Sequence, residues 1–226
     1  MLLAIDTATR IMSLALHDGL NLRAEQTWIT ANNHTAELAP TIRMLLHRAE
    51  LSLADLTSVA VSIGPGSYTG LRIGVSLAKG LAAVHGLPLI GVSTLDTLAV
   101  AQPYYQGNAL IAVVEAGRGR IITATYRWKK GEWVQRNDAQ LMDWPTLIDN
   151  IDGPAYLAGD IDADGAEALR AAQASDVPVQ LVPAAYRLRR SGFLADEALK
   201  RLQDQGEAAF QPARLTPLYV QTKDSP

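Results

Sequence analysis

Ser62-Ile-Gly-Pro-Gly-Ser-Tyr-Thr-Gly-Leu-Arg-Ile-Gly74 is the stretch on which the reading of this fold turns. Just before it, residues 57–63 form a short apolar, β-branched run of the kind that makes a buried strand. Just after it, Ile73, Leu77, Leu81 and Val84 recur at helical spacing and predict a helix over about 70–85. A glycine-rich loop therefore joins a buried strand to a helix. Gly64, Gly66 and Gly70 let backbone amides approach an anion, and Ser67 and Thr69 can cap the helix.

The spacing matches neither common phosphate loop. A Walker loop needs Lys after its second glycine, but here Thr69 is followed by Gly70-Leu71. A dinucleotide fingerprint needs a third glycine where Thr69 stands. Phosphate binding by some other loop and a ligand-free tight turn both stay open.

Outward from the loop, residues 2–7, 12–17 and 22–28 read as three short strands. The turn Asp6-Thr-Ala-Thr9 joins the first two, and Asp18-Gly19 is a hairpin signal. Asn32-Asn33-His34-Thr35, with Glu37 behind it, opens a helix with apolar Leu38, Ile42, Leu45, Leu46 and Ala49. A strand at 88–92 completes a mixed five-stranded sheet: three antiparallel strands, then two crossover units. The pattern resets around 101–107. Strands at 109–115, 121–128, 155–158 and 179–182 and helices near 144–151, 163–174 and 192–205 then resemble a smaller copy of the first half. The expectation is α/β: a lobe over 1–103, a smaller one over 104–226, and a last helix able to pack back on the first.

Composition narrows the chemistry. The 226 residues are 48% hydrophobic and 19% charged, enough for a proper core, and a net charge of −3 gives no global attraction to nucleic acid. With no cysteine, disulfides, thiolate metal sites and cysteine nucleophiles are excluded. The N-terminus lacks a basic leader pattern and no run is long enough for a membrane helix, so a cytoplasmic location is expected. His17, His34, His47 and His85 are scattered, without metal-ligand spacing on one helix face.

Ala4-Ile-Asp-Thr-Ala-Thr9, His34-Thr35 with Leu38 and Pro40, Gly64 through Gly74, and Pro88-Leu-Ile-Gly-Val-Ser-Thr94-Leu together resemble the TsaB/YeaZ family. Glu115-Ala-Gly-Arg-Gly119 and Pro217-Leu-Tyr-Val220 only approximate its later signatures, in which Asp commonly opens the first and Arg often closes the second. The resemblance implies an actin/Hsp70-like (ASKHA) fold. It also implies a role in making threonylcarbamoyladenosine on tRNAs that read codons starting with adenine. The implied role is a non-catalytic subunit that binds and activates a TsaD-type transferase, works with a TsaE-type ATPase, and forms a homodimer when alone. tRNA would be met through the complex. Registering the chain on the TsaD type places that relative's metal-binding histidines at Thr94 and Leu98, so no metal is expected. No cofactor is expected either, beyond ATP or ADP at an interface with partner subunits.

Three readings of the residues stand beside it. A sugar-kinase-like ATPase would use Asp6, Thr7 and Thr9 on the phosphates. A protease would need Ser67, which lacks the Gly-x-Ser-x-Gly elbow. A partner surface would use the small-residue stripe Gly70, Gly74 and Ala78, flanked by Leu71 and Val75, with Ala39, Arg43 and Leu46 on the preceding helix. That reading assigns Ile73, Leu77, Leu81 and Val84 to the sheet and leaves the small face spare. Tyr186-Arg-Leu-Arg-Arg190 reads as a tRNA contact or a solvated basic turn. Trp128-Lys-Lys-Gly-Glu-Trp133 reads as a hairpin edge guarded by lysines.

Overall fold

The computed structural model describes residues 1–31 and 33–220. The first sheet is built from β1 (Leu2–Asp6), β2 (Ile11–His17), β3 (Leu22–Ile29), β4 (Ser58–Gly64) and β5 (Leu89–Ser93), in the order β3-β2-β1-β4-β5. β1 to β3 are antiparallel, and β4 and β5 run parallel to β1, as the crossover pattern predicts. Helices α1 (His34–Arg48) and α2 (Tyr68–His85) cover one face. α1 begins after Asn33, whose side chain makes no cap bond; Asn32 lies outside the described residues. Glu37 accepts the Trp28 indole N–H at 2.7 Å instead of closing a capping box.

α3 (Thr94–Val100) follows β5 directly and was not foreseen: seven residues are too short for a helical period to stand out. The second sheet contains β6 (Ala109–Gly117), β7 (Arg120–Lys129), β8 (Glu132–Gln135), β9 (Gln140–Met142), β10 (Ala155–Gly159) and β11 (Val179–Leu181). Its order is β11-β10-β6-β7-β8, with β9 also on β7. α4 (Trp144–Asp149) and α5 (Ala163–Ala174) pack on one face through Trp144, Leu147, Leu169 and Ala172. α3 covers the other face with Leu95 and Leu98. After the short α6 (Ala184–Arg187), α7 (Ser191–Gln205) returns to the first sheet. There Leu194, Ala195 and Ala198 meet Leu2, Ala4, Ala15 and Ile90. Fully burying a side chain such as Leu194 contributes about 1.5–3 kcal/mol.

The burial of α2 reverses the expected faces. Gly70, Leu71, Gly74, Val75, Ala78 and Ala82 are buried, whereas Ile73, Leu77 and Leu81 are only half-buried and Val84 is 80% exposed. A Cβ at Gly70 would strike the Thr7 carbonyl oxygen, and one at Gly74 would strike the Thr7 hydroxyl. The small residues are there because α2 lies directly on the end of β1; bulkier side chains would hold it off. Leu46 of α1 is also buried, while Ala39 and Arg43 are exposed. The small-residue stripe is thus core, and the apolar stripe beside it is the face left partly open.

Candidate functional site

The two sheets meet at the turn after β1. Asp6 ends that strand; its Oδ1 accepts the Ala8 N–H at 2.8 Å, closing a local turn. The Thr7 hydroxyl donates to Gly70 O at 2.7 Å and ties the turn to α2. The glycine loop closes over the same turn, with Ser67 N–H donating to Ala8 O at 2.6 Å. Gly66 lies so close that a Cβ would collide with Ala8 O. Ser67 caps α2 by accepting the Gly70 N–H at 3.2 Å. The glycines therefore serve close contact with this chain's own backbone.

Into this turn comes Arg189, 0% exposed. Its Nε donates to Asp6 Oδ2 at 3.2 Å and its Nη1 to both Asp160 oxygens at 3.0 and 3.1 Å. Its Nη2 donates to the Thr9 hydroxyl. Asp6 belongs to the first sheet and Asp160 follows β10 of the second, so one guanidinium ties the two together. Such a planar fork suits two carboxylates better than an ammonium would. Burial pushes the Asp6 pKa up, against the lowering pull of Arg189. The two carboxylates together hold the Arg189 pKa above its ordinary value, despite burial. The next residues extend the junction: Ser191 N–H donates to Ser13 Oγ at 2.8 Å, and Arg190 pairs with Glu25.

Asp6, Thr7 and Thr9, whose types suit either a phosphate grip or a turn stabilised by its own Asx and hydroxyl hydrogen bonds, are all buried and spent on internal bonds. Their side chains do not fit a nucleotide phosphate, because Arg189 and Gly70 already occupy them. A cleft of about 430 Å³ remains beside the junction, lined by Arg10, Glu115, Asp162 and Arg187 among others. Arg189 also corrects the reading of residues 186–190, since one of the three arginines is the largest fully buried side chain among the described residues rather than a solvated or tRNA-facing group. From sequence, Arg189 figures only as one member of the basic stretch 186–190, and Asp160 carries no reading. The available signal was Gly159-Asp160 closing a strand, a weak echo of Asp6 closing β1.

Thr94 and Leu98 are buried in α3, with Thr94 Oγ1 2.9 Å from Ser62 Oγ. Among the described residues no cluster of three His, Asp or Glu side chains is placed to hold a metal. Among them, too, no histidine hydrogen-bonds Ser67; His34 Nε2 contacts Thr9 O at 2.8 Å, and His17 pairs with Asp196. No helix of the described residues is long and apolar enough to cross a membrane.

Two mixed sheets flanked by helices, joined at the turn after β1, define an α/β protein of the actin-like ASKHA fold. The structure of YeaZ from Pseudomonas aeruginosa superposes with a TM-score of 0.76 at 23% identity, covering 97% of this chain and 99% of that one. A family model described as "TsaD: tRNA N6-adenosine threonylcarbamoyltransferase" matches residues 27–148. The tRNA threonylcarbamoyladenosine biosynthesis protein TsaB of Bacillus subtilis is 34% identical over 70% of each chain. That of Escherichia coli is 40% identical over 58% of each. This chain belongs to the TsaB/YeaZ family.

Proposed function

We propose that this chain serves tRNA threonylcarbamoyladenosine biosynthesis as a non-catalytic subunit that binds and activates a TsaD-type transferase. The relatives' names support the pathway. The observation that carries the non-catalytic reading is the Arg189 knot. It fills the junction of the two sheets with this chain's own guanidinium and spends the side chains a nucleotide would need. A TsaE-type ATPase completes the set, with ATP or ADP at a shared interface and tRNA met through the complex in the cytoplasm. Alone, the chain forms a homodimer.

The association surface in this reading is the outer flank of α1 and α2. Ala39, Arg43, Arg72 and Ser76 are exposed there, beside half-buried Ile73 and Leu77. Packing helix pairs from two proteins would bury area near 1,600 Å², typical of a specific contact. Mixing the purified chain with a TsaD-type subunit and measuring complex mass and threonylcarbamoyladenosine formation tests the proposal. The expected result is a heterodimer needed for modification. The variant Ser76→Arg should weaken it while the melting temperature stays unchanged. A homodimer that ignores the transferase would sink the reading.

A further inference from the structure

β8 ends the second sheet, and among the described residues its outer edge pairs with no other strand. Arg136 N–H donates to Thr125 O at 2.8 Å, which fixes the phase of the β7–β8 ladder. Antiparallel bonding alternates, so Glu132 and Val134 exchange bonds with β7 while Trp133 and Gln135 turn their N–H and C=O groups outward. The two hairpin lysines, Lys129 and Lys130, stand at the turn, and the four residues of β8 itself include no Lys or Arg.

That edge borders a groove of about 580 Å³ between the hairpin, α3 and α7. Aromatic surface comes from Trp128, Trp133 and Phe193. Trp128 is 36% exposed, lies 5.1 Å from the Tyr104 ring and meets Trp133 edge-on at 5.3 Å. Asp96, Glu132, Asp196 and Glu197 line the groove. Arg201 bridges Asp96 and Glu197 at 3.1 and 2.7 Å, His17 contacts Asp196 at 3.2 Å and Lys200 pairs with Glu132. Four carboxylates thus stand against two Lys or Arg cations, and the lining keeps an excess of negative charge. Lys200 reaches from α7 to Glu132 across the mouth; both side chains are 54% exposed, so the pair is weakly held.

We propose that this groove docks an extended segment of a partner protein, which adds as a strand to β8 and carries Lys or Arg at alternate positions. Strand addition satisfies the outward amides of Trp133 and Gln135, and alternate side chains reach the groove. The carboxylates attract cations, and the Trp128 face holds one by cation–π contact. One cation of the segment takes the place of Lys200 on Glu132. The same negative lining repels nucleic-acid phosphates, so the partner is a protein. α7 and α1–α2 lie on opposite faces of the first sheet, so this surface is separate from the helix-pair interface and independent of it.

The test titrates isotopically labelled full-length protein with acetyl-Val-Arg-Val-Arg-Val-amide at millimolar concentration, following amide and indole resonances. Saturable shifts and slowed hydrogen exchange are expected at Trp133 and Gln135, with indole shifts at Trp128. The glutamate counterpart of the peptide, or the same peptide N-methylated at alternate amides, should bind at least about tenfold more weakly. Gln135→Pro removes an outward N–H and should weaken binding by a similar factor, as should Trp128→Ala. Equal binding of the acidic or N-methylated peptide, shifts that map elsewhere, absence of saturable shifts, or a single-stranded RNA oligonucleotide moving the same resonances would each overturn the proposal, whether or not the variants fold.

Discussion

Each sheet begins with an antiparallel pair, β1–β2 in the first and β6–β7 in the second, and the two connecting turns have opposite fates. In the first turn Thr7, Ala8 and Thr9 are buried under α2, the glycine loop and Arg189. In the second, Gly117, Arg118 and Gly119 all adopt left-handed backbone at φ 73°, 57° and 69°, and a Cβ added at either glycine would meet nothing within 4 Å. One turn is held by tertiary contacts and the other by local conformational preference. The lesson is that equivalent places in the two sheets answer to different physics, and substitutions at them should differ in size and in pH response.

The largest effect is expected at Arg189. Arg189→Met leaves Asp6 and Asp160 facing each other without a cation, and breaking a buried pair this way costs about 3–5 kcal/mol. Denaturant unfolding at neutral pH reads it directly. A loss below about 1 kcal/mol would mean that the guanidinium does not hold the two sheets together.

The pH dependence of that loss sharpens the comparison. Burial raises the Asp6 pKa, so the folded state holds the proton more tightly than the unfolded one. The stability linked to that proton is present below the unfolded value and is lost as pH rises through the folded one. Without Arg189, which pulls the value down, the rise is larger. The deficit of Arg189→Met should therefore be greatest near neutrality and shrink on acidification toward the ordinary aspartate range. A deficit that grows on acidification would contradict the assigned charge state.

A smaller effect is expected at the inner face of α2. Gly70→Ala forces the helix away from the Thr7 carbonyl and should cost about 1–3 kcal/mol. The smallest is at the open turn, where Gly117→Ala meets no neighbour and costs about 1 kcal/mol from the left-handed backbone alone. Thermal melts of the two variants rank them. If Gly117→Ala were the worse, the contrast between a packed and an open turn would fail.

Much of this molecule was legible in the residues alone. The β-branched run before Gly64, the caps and the hairpin signals are local, so most strand and helix positions and the mixed, five-stranded make-up of the first sheet followed from short-range preference and crossover rules, while the pairing order of its strands was left to the tertiary structure. The family followed as well, because the Gly64 to Gly74 block is local too. What α2 buries did not. Two stripes of that helix are apolar enough to face a sheet, and the choice depended on how near β1 would lie. Asp6, Thr7 and Thr9 carried the right chemistry for an anion. Their fate was set by Arg189, 183 residues from Asp6 in the chain. A sequence displays each residue's donors, charge and size, but which groups consume one another is decided only when distant segments close on the same few ångströms, where the cost of an unpaired buried charge selects the partner.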